Sequence, residues 1–227
     1  MDPIPQQLLS KLLRPLMCVS AMAALGACAS LDVKSKYQPP QQATIPSSVT
    51  VAMPFDQAWD RFVRRLGQNF FVVNNISKES RFISISVGHN QAEKFIDCGT
   101  LTQKVNSKDW TFNPADNADF NESGFRSGTV VEHRVSGRAG RMNIVVAPNG
   151  PNTVFEVNTS YTLKMVESGR NVVRNLLGQV VSSQRLEVMR ANFQFTTKAP
   201  DEQPFGAVNI TCQATGVWEQ LVLDLAR

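Results

Sequence analysis

The chain has 227 residues, 42% of them hydrophobic and 19% charged, with 23 lysines and arginines against 19 aspartates and glutamates. A net charge of only +4 leaves a nucleic-acid role without electrostatic support, and the length suffices to bury the core of one domain. Two histidines and four cysteines limit the chemistry on offer.

At the N-terminus, Lys11 and Arg14 precede a short apolar run from Pro15 to Ala24, and small residues lead on to Cys28. A basic n-region, a short apolar h-region and small residues before a cleavage point make up a secretory signal. The run is too short for a transmembrane span, which needs about 20 apolar residues. Leu25-Gly26-Ala27-Cys28 resembles the lipobox of bacterial lipoproteins. That resemblance implies removal of residues 1–27 as a signal peptide, lipid attachment at Cys28, and a membrane bound through that lipid. Inner-membrane retention commonly uses an aspartate after the cysteine. Ala29 stands there, which implies the outer membrane with the domain facing the periplasm.

Processing leaves Cys28–Arg227 and, with Asp2, Lys11 and Arg14 gone, a net charge of +3. Cys18 departs with the signal and Cys28 carries lipid, so Cys98 and Cys212 remain. In an oxidising compartment two cysteines read as a disulfide, the alternative being two buried free thiols. Such a bond closes a loop of more than a hundred residues, a stabilisation of about 4–5 kcal/mol in the chain-entropy treatment. Neither His89 nor His133 stands at ligand spacing from a cysteine, so no metal is expected, and no cofactor motif is present.

Residues 28–47 read as a lipidated flexible tether, since Gln, Pro and Ser dominate without an apolar period. The periplasm-facing domain then spans residues 48–227. Val49, Val51 and Met53 alternate as a strand. After Pro54, Phe55, Ala58, Trp59, Phe62, Val63 and Leu66 share one helical face, and Gly67 and Asn69 end that helix. Strands follow over 70–74 and 81–87, with Ile83, Ile85 and Val87 inward. Residues 88–127 read as a long excursion pinned by Cys98. Alternation returns over 129–135 and 142–146, joined by a turn at Ser136–Gly140. The longest strand carries Phe155, Val157, Thr159, Tyr161, Leu163 and Met165 on one face, and another covers 186–197. A closing helix over 217–226, with Thr215 as N-cap, buries a stripe of Trp218, Leu221, Val222 and Leu225.

The order strand, helix, antiparallel strands, helix predicts an α+β fold: one antiparallel sheet covered by two helices, of the helix-grip kind, in a single domain with a long insertion. Pro54-Phe55-Asp56-Gln57-Ala58-Trp59-Asp60-Arg61-Phe62, Phe71-Val72-Val73 and Arg81-Phe82-Ile83-Ser84-Ile85 resemble the start of a domain in the BamC lipoprotein family. That family supplies accessory subunits of the outer-membrane β-barrel assembly machinery, and the resemblance implies a similar fold and location.

No nucleophile elbow, phosphate loop or carboxylate pair points to an enzyme, so no catalytic residue is assigned. His133, between Val131 and Val135, reads as a hydrogen-bonded histidine at a sheet edge rather than a catalytic base. Asn117, Asp119, Asn121 and Glu122 fail as a calcium loop, because the sixth and twelfth positions hold Glu122 and Gly128. Arg134, Arg138 and Arg141 form either a partner-facing basic patch or a solvated hairpin tip. Residues 169–182, with Val172, Val173, Leu176, Leu177, Val180 and Val181 at helical spacing, form either a partner- or membrane-facing helix or ordinary core.

The expected function is that of a non-catalytic lipoprotein, an adaptor or accessory subunit binding an envelope protein in outer-membrane assembly or secretion. The alternative is a periplasmic carrier holding a lipid or small hydrophobic ligand between sheet and helix.

Overall fold

The computed structural model describes residues 34–42, 44–69, 71–87, 93–105, 107–124 and 126–227. Cys28, Cys18, His89 and the signal segment lie outside them. The first half of the described chain holds β1 (Lys34–Gln38), β2 (Ser48–Val51), α1 (Phe55–Gly67), β3 (Val72–Ser77), β4 (Phe82–Val87), β5 (Ile96–Asp97), β6 (Thr100–Val105), β7 (Lys108–Phe112) and β8 (Ala118–Ser123). The second half holds β9 (Ser127–Asn149), β10 (Asn152–Arg174), β11 (Val180–Arg185), β12 (Met189–Thr196), β13 (Asp201–Phe205), β14 (Val208–Ala214) and α2 (Val217–Ala226).

One long hairpin frames the largest sheet. β9 and β10, each 23 residues, pair from Asn149↔Asn152 to Ser127↔Val173. Gly150, at φ 60°, supplies the left-handed position of their turn. Along β10, buried Phe155, Val157, Tyr161, Leu163 and Met165 alternate with exposed Glu156, Asn158, Ser160, Thr162 and Lys164. That pattern matches an antiparallel sheet packed on one face and solvated on the other. The outer edge of β10 carries β2, β12 and β11 in turn, and that of β9 carries β4 and β8. Two three-stranded sheets, β1-β6-β7 and β13-β14-β5, complete the strands.

Near the β9–β10 turn, α1 buries Ala58, Trp59, Phe62 and Leu66, with the Phe62 and Phe155 rings 4.9 Å apart. α2 lies beside α1. Arg61 Nη2 donates to the carbonyl oxygen of Ala226 at 2.8 Å, and Arg65 Nη1 to that of Leu225 at 3.0 Å, satisfying carbonyls that the helix end leaves open. Gly140 lets the sheet approach this layer, because a Cβ there would stand 2.6 Å from Trp218 Cζ3.

Several expectations need correction. The fold is not an α+β sheet covered by two helices: strands hold 61% of the described residues and helix 14%, in several antiparallel sheets. Residues 96–123, expected as an irregular excursion, supply β5 to β8. Their Thr, Gln, Asn and Asp residues hid the strand pattern, which survives only at inward positions such as Leu101, Gln103 and Val105. The Ser136–Gly140 segment runs on as part of β9, with a register shift opposite Thr162–Lys164 and Gly137 at φ 62°. Residues 34–38 of the expected tether form β1, paired with β6 from Lys34↔Lys104 to Gln38↔Thr100. The Tyr37 hydroxyl accepts from the Thr211 backbone N at 2.9 Å and donates to the Cys98 carbonyl at 3.1 Å, which ties this segment to β14. The buried face of α2 is Trp218, Glu219, Val222, Leu223 and Ala226, leaving Leu221 exposed.

Candidate functional site

The far end of the long hairpin is where side chains are presented outward. Residues 169–182 form no helix there. β10 ends at Arg174 and the chain returns as β11, which among the described residues pairs only with β10. β-Branched Val172, Val173, Val180 and Val181 favour strand, and Gly178 sits at φ 78°, which a right-handed helix does not accommodate. Asn175 builds the turn: its Oδ1 accepts from the backbone N of Leu177 at 2.9 Å and of Gln179 at 3.0 Å. This closed loop places Leu176 and Leu177 at the tip, 67% and 83% exposed, with Val173, Val180 and Val181 exposed behind them. Val172 alone of the expected apolar set is buried.

Arginines surround that tip. Arg170 and Arg185 stand directly opposite each other across β10 and β11, both exposed. Arg174 Nη1 donates to the Gly178 carbonyl at 3.0 Å, and the Arg174 backbone N donates to the carbonyl of Arg126. Residues 168–186 contain no aspartate or glutamate. Like charges directly opposite on a sheet repel, and the β10–β11 loop is a basic surface around two leucines.

The expected arginine patch does not assemble. Arg134 is held by Asp119 Oδ1 at 2.6 Å, Arg138 is buried, and Arg141 Nε donates to Ser84 Oγ at 3.2 Å. These residues line successive parts of β9 rather than one tip. Asn117, Asp119, Asn121 and Glu122 likewise disperse. Asn117 Oδ1 accepts from the Val135 N at 2.7 Å, and Glu122 lies 3.7 Å from Lys108 Nζ.

His133 is hydrogen-bonded as expected, but it lies inside the sheet between β8 and β10 rather than at an edge, and it belongs to one of two buried polar networks whose carboxylates, Glu167 and Glu219, were missed in the sequence. Glu167, directly across from His133 on the hairpin, faces His133 Nδ1 at 3.5 Å and accepts from Gln103 Nε2 at 2.9 Å. His133 Nε2 donates to the Pro114 carbonyl at 2.8 Å, and the Phe112 and Phe205 rings close over the imidazole at 4.8 and 5.7 Å. In the second network, Tyr161 Oη and Thr197 Oγ1 donate to Glu219 Oε1 at 2.9 and 2.8 Å. Both sets are sealed from solvent, and their geometry holds layers together. Period-2 counting from Met165 already places Glu167 inward, and helical counting from Val222 and Leu223 does the same for Glu219.

Comparison with known proteins adds no relative. No protein-family model, curated protein or solved structure matches the chain.

Cys98 and Cys212 meet at disulfide distance, with Cα atoms 4.1 Å apart and both side chains buried. The pair joins the segment between β5 and β6 to β14 across a sequence separation of 114. No helix among the described residues is long and apolar enough to cross a membrane.

Proposed function

We propose that this is a lipid-anchored envelope protein of the outer membrane, facing the periplasm and working as a non-catalytic adaptor or accessory subunit of an envelope complex. The observation that carries the proposal is the buried Cys98–Cys212 pair in a chain headed by Leu25-Gly26-Ala27-Cys28. A cysteine pair at bonding distance fits an oxidising compartment, and the N-terminal pattern is an export signal of the same destination. The two features are independent in sequence and chemistry. Membership of an assembly or secretion apparatus rests on the resemblance over residues 54–85.

Packing favours the adaptor over the carrier. The space between helices and sheet is filled by interlocking rings: Tyr161 stacks on Phe195 at 5.3 Å, and Trp218 meets Tyr161 at 6.1 Å and Phe95 at 5.7 Å. A carrier needs that volume for its ligand.

Affinity purification of the full chain from chemically cross-linked envelopes tests the proposal. Recovery of one envelope protein in stoichiometric amount, lost when Cys28→Ser prevents anchoring, is the expected result. Recovery of no envelope protein above background overturns the adaptor role.

A further inference from the structure

We infer that the β10–β11 tip is a second membrane contact: Leu176 and Leu177 enter an anionic bilayer surface while Arg126, Arg170, Arg174 and Arg185 meet its phosphates. The inference deepens the anchored reading above and takes its orientation from it.

Chain geometry supplies the first argument. Lys34 pairs with Lys104 near the end of β6, and the β6–β7 turn brings Lys108 to within 3.7 Å of Glu122 on β8. Glu122 pairs with Thr129 of β9, which pairs in turn with Asn171 of β10. Lys34 therefore enters the fold at the same end as the Leu176–Leu177 tip. The Trp110 and Phe120 rings, 5.9 Å apart, confirm that β7 and β8 lie alongside each other in this sense. Because β1 takes up residues 34–38, five residues, 29–33, separate Cys28 from Lys34. They reach at most about 20 Å. A lipid on Cys28 thus keeps the bilayer close to this end, where the β10–β11 tip also lies.

Surface chemistry supplies the second. Two leucines at a loop apex with exposed valines behind them match the apolar part of an interfacial anchor, which sits at the headgroup–acyl boundary. The collar contains arginines and, over residues 168–186, no carboxylate. Anionic phosphates relieve the Arg170–Arg185 repulsion and favour polybasic surfaces near a membrane. The opposite β9–β10 turn, Asn149-Gly150-Pro151-Asn152, carries neither large apolar groups nor arginine and serves as an internal control.

The test places a tryptophan at each end of the full chain, Leu177→Trp or Pro151→Trp, and reads quenching by acyl-brominated lipids. Vesicles are of phosphatidylethanolamine with phosphatidylglycerol, or of phosphatidylcholine alone. The three native tryptophans are buried and set the background. The expected result is loss of the added emission for Leu177→Trp in the anionic vesicles only, none for Pro151→Trp, and recovery when Arg170→Glu and Arg185→Glu are added. Equal quenching at both sites, or none at Leu177→Trp, overturns the inference. So does a blue shift at Leu177→Trp that grows with protein concentration without lipid, which marks a second copy as the occupant. Intact mass of the same preparation reports the Cys28 lipid separately. An unlipidated Cys28 with a quenched tip removes the anchor and keeps the tip contact, and a lipidated Cys28 with an unquenched tip does the reverse.

Discussion

The hydroxyls of Tyr161 and Thr197 converge on one oxygen of Glu219, a carboxylate with no solvent exposure. Removing a donor leaves that buried acceptor short of a partner, which costs about 1–3 kcal/mol. Tyr161→Phe is therefore expected to lower the denaturant midpoint by a cost in that range, with an unchanged slope. The same site sets an alkaline limit. Burial, reinforced by the Glu219 charge and its hydrogen bond, raises the Tyr161 pKa far above its usual 10.0. The unfolded chain releases this proton first. Stability is then fully present below pH 10 and falls as pH rises above it. Melting curves across that range should show a steep alkaline loss in the native chain and a shallower one in Tyr161→Phe. A matching loss in both would remove Tyr161 as the cause.

At the scale of elements, α1 and α2 are joined through guanidinium-to-carbonyl bonds from Arg61 and Arg65 to the end of α2. Charge-assisted bonds of this type contribute about 1.5–3 kcal/mol each where water is partly excluded. Arg61→Ala with Arg65→Ala should lower the melting temperature and speed amide exchange at residues 223–227 before the β9–β10 hairpin is affected. Simultaneous loosening of both elements would contradict that ordering. Both helices were legible from sequence because apolar residues recur at helical spacing, and α2 falls on residues 217–226 as expected. Its expected stripe held Leu221 and Leu225, whereas the buried face includes Glu219, Leu223 and Ala226, because an apolar period gives no reason to turn a carboxylate inward. Over 172–181, adjacent apolar pairs four residues apart satisfy a helix and a strand–turn–strand equally. Gly178 and Asn175 decided between them. The β5–β8 strands were hard to see for a different reason: they are short, Gln103 interrupts the inward apolar positions, and Thr, Asp and Asn fill the outward ones, so hydropathy carried little period.

Over the whole molecule, the Cys98–Cys212 pair closes a loop that contains β6 through β14 up to Thr211. The chain-entropy treatment assigns a loop of that length about 4–5 kcal/mol. Cys98→Ala with Cys212→Ala should remove roughly that amount, read as a shift in guanidinium midpoint. Reduction of the native chain should produce the same shift, and insensitivity to reductant would show the thiols to be free. The proposed compartment and anchor rest on a few residues near the N-terminus, because recognition by processing enzymes is local in sequence. The end of the molecule that carries Leu176 and Leu177 was not legible, because it depends on β1, the β6–β7 turn and the β10–β11 loop arriving at one place.

The most direct test of the envelope assignment is the intact mass of the full chain after expression in a bacterium with an outer membrane and purification from that membrane. The predicted product begins at Cys28, lacks residues 1–27 and carries the added mass of a diacylglyceryl group. A chain that retains those residues, with Cys28 as an unmodified thiol, would contradict it.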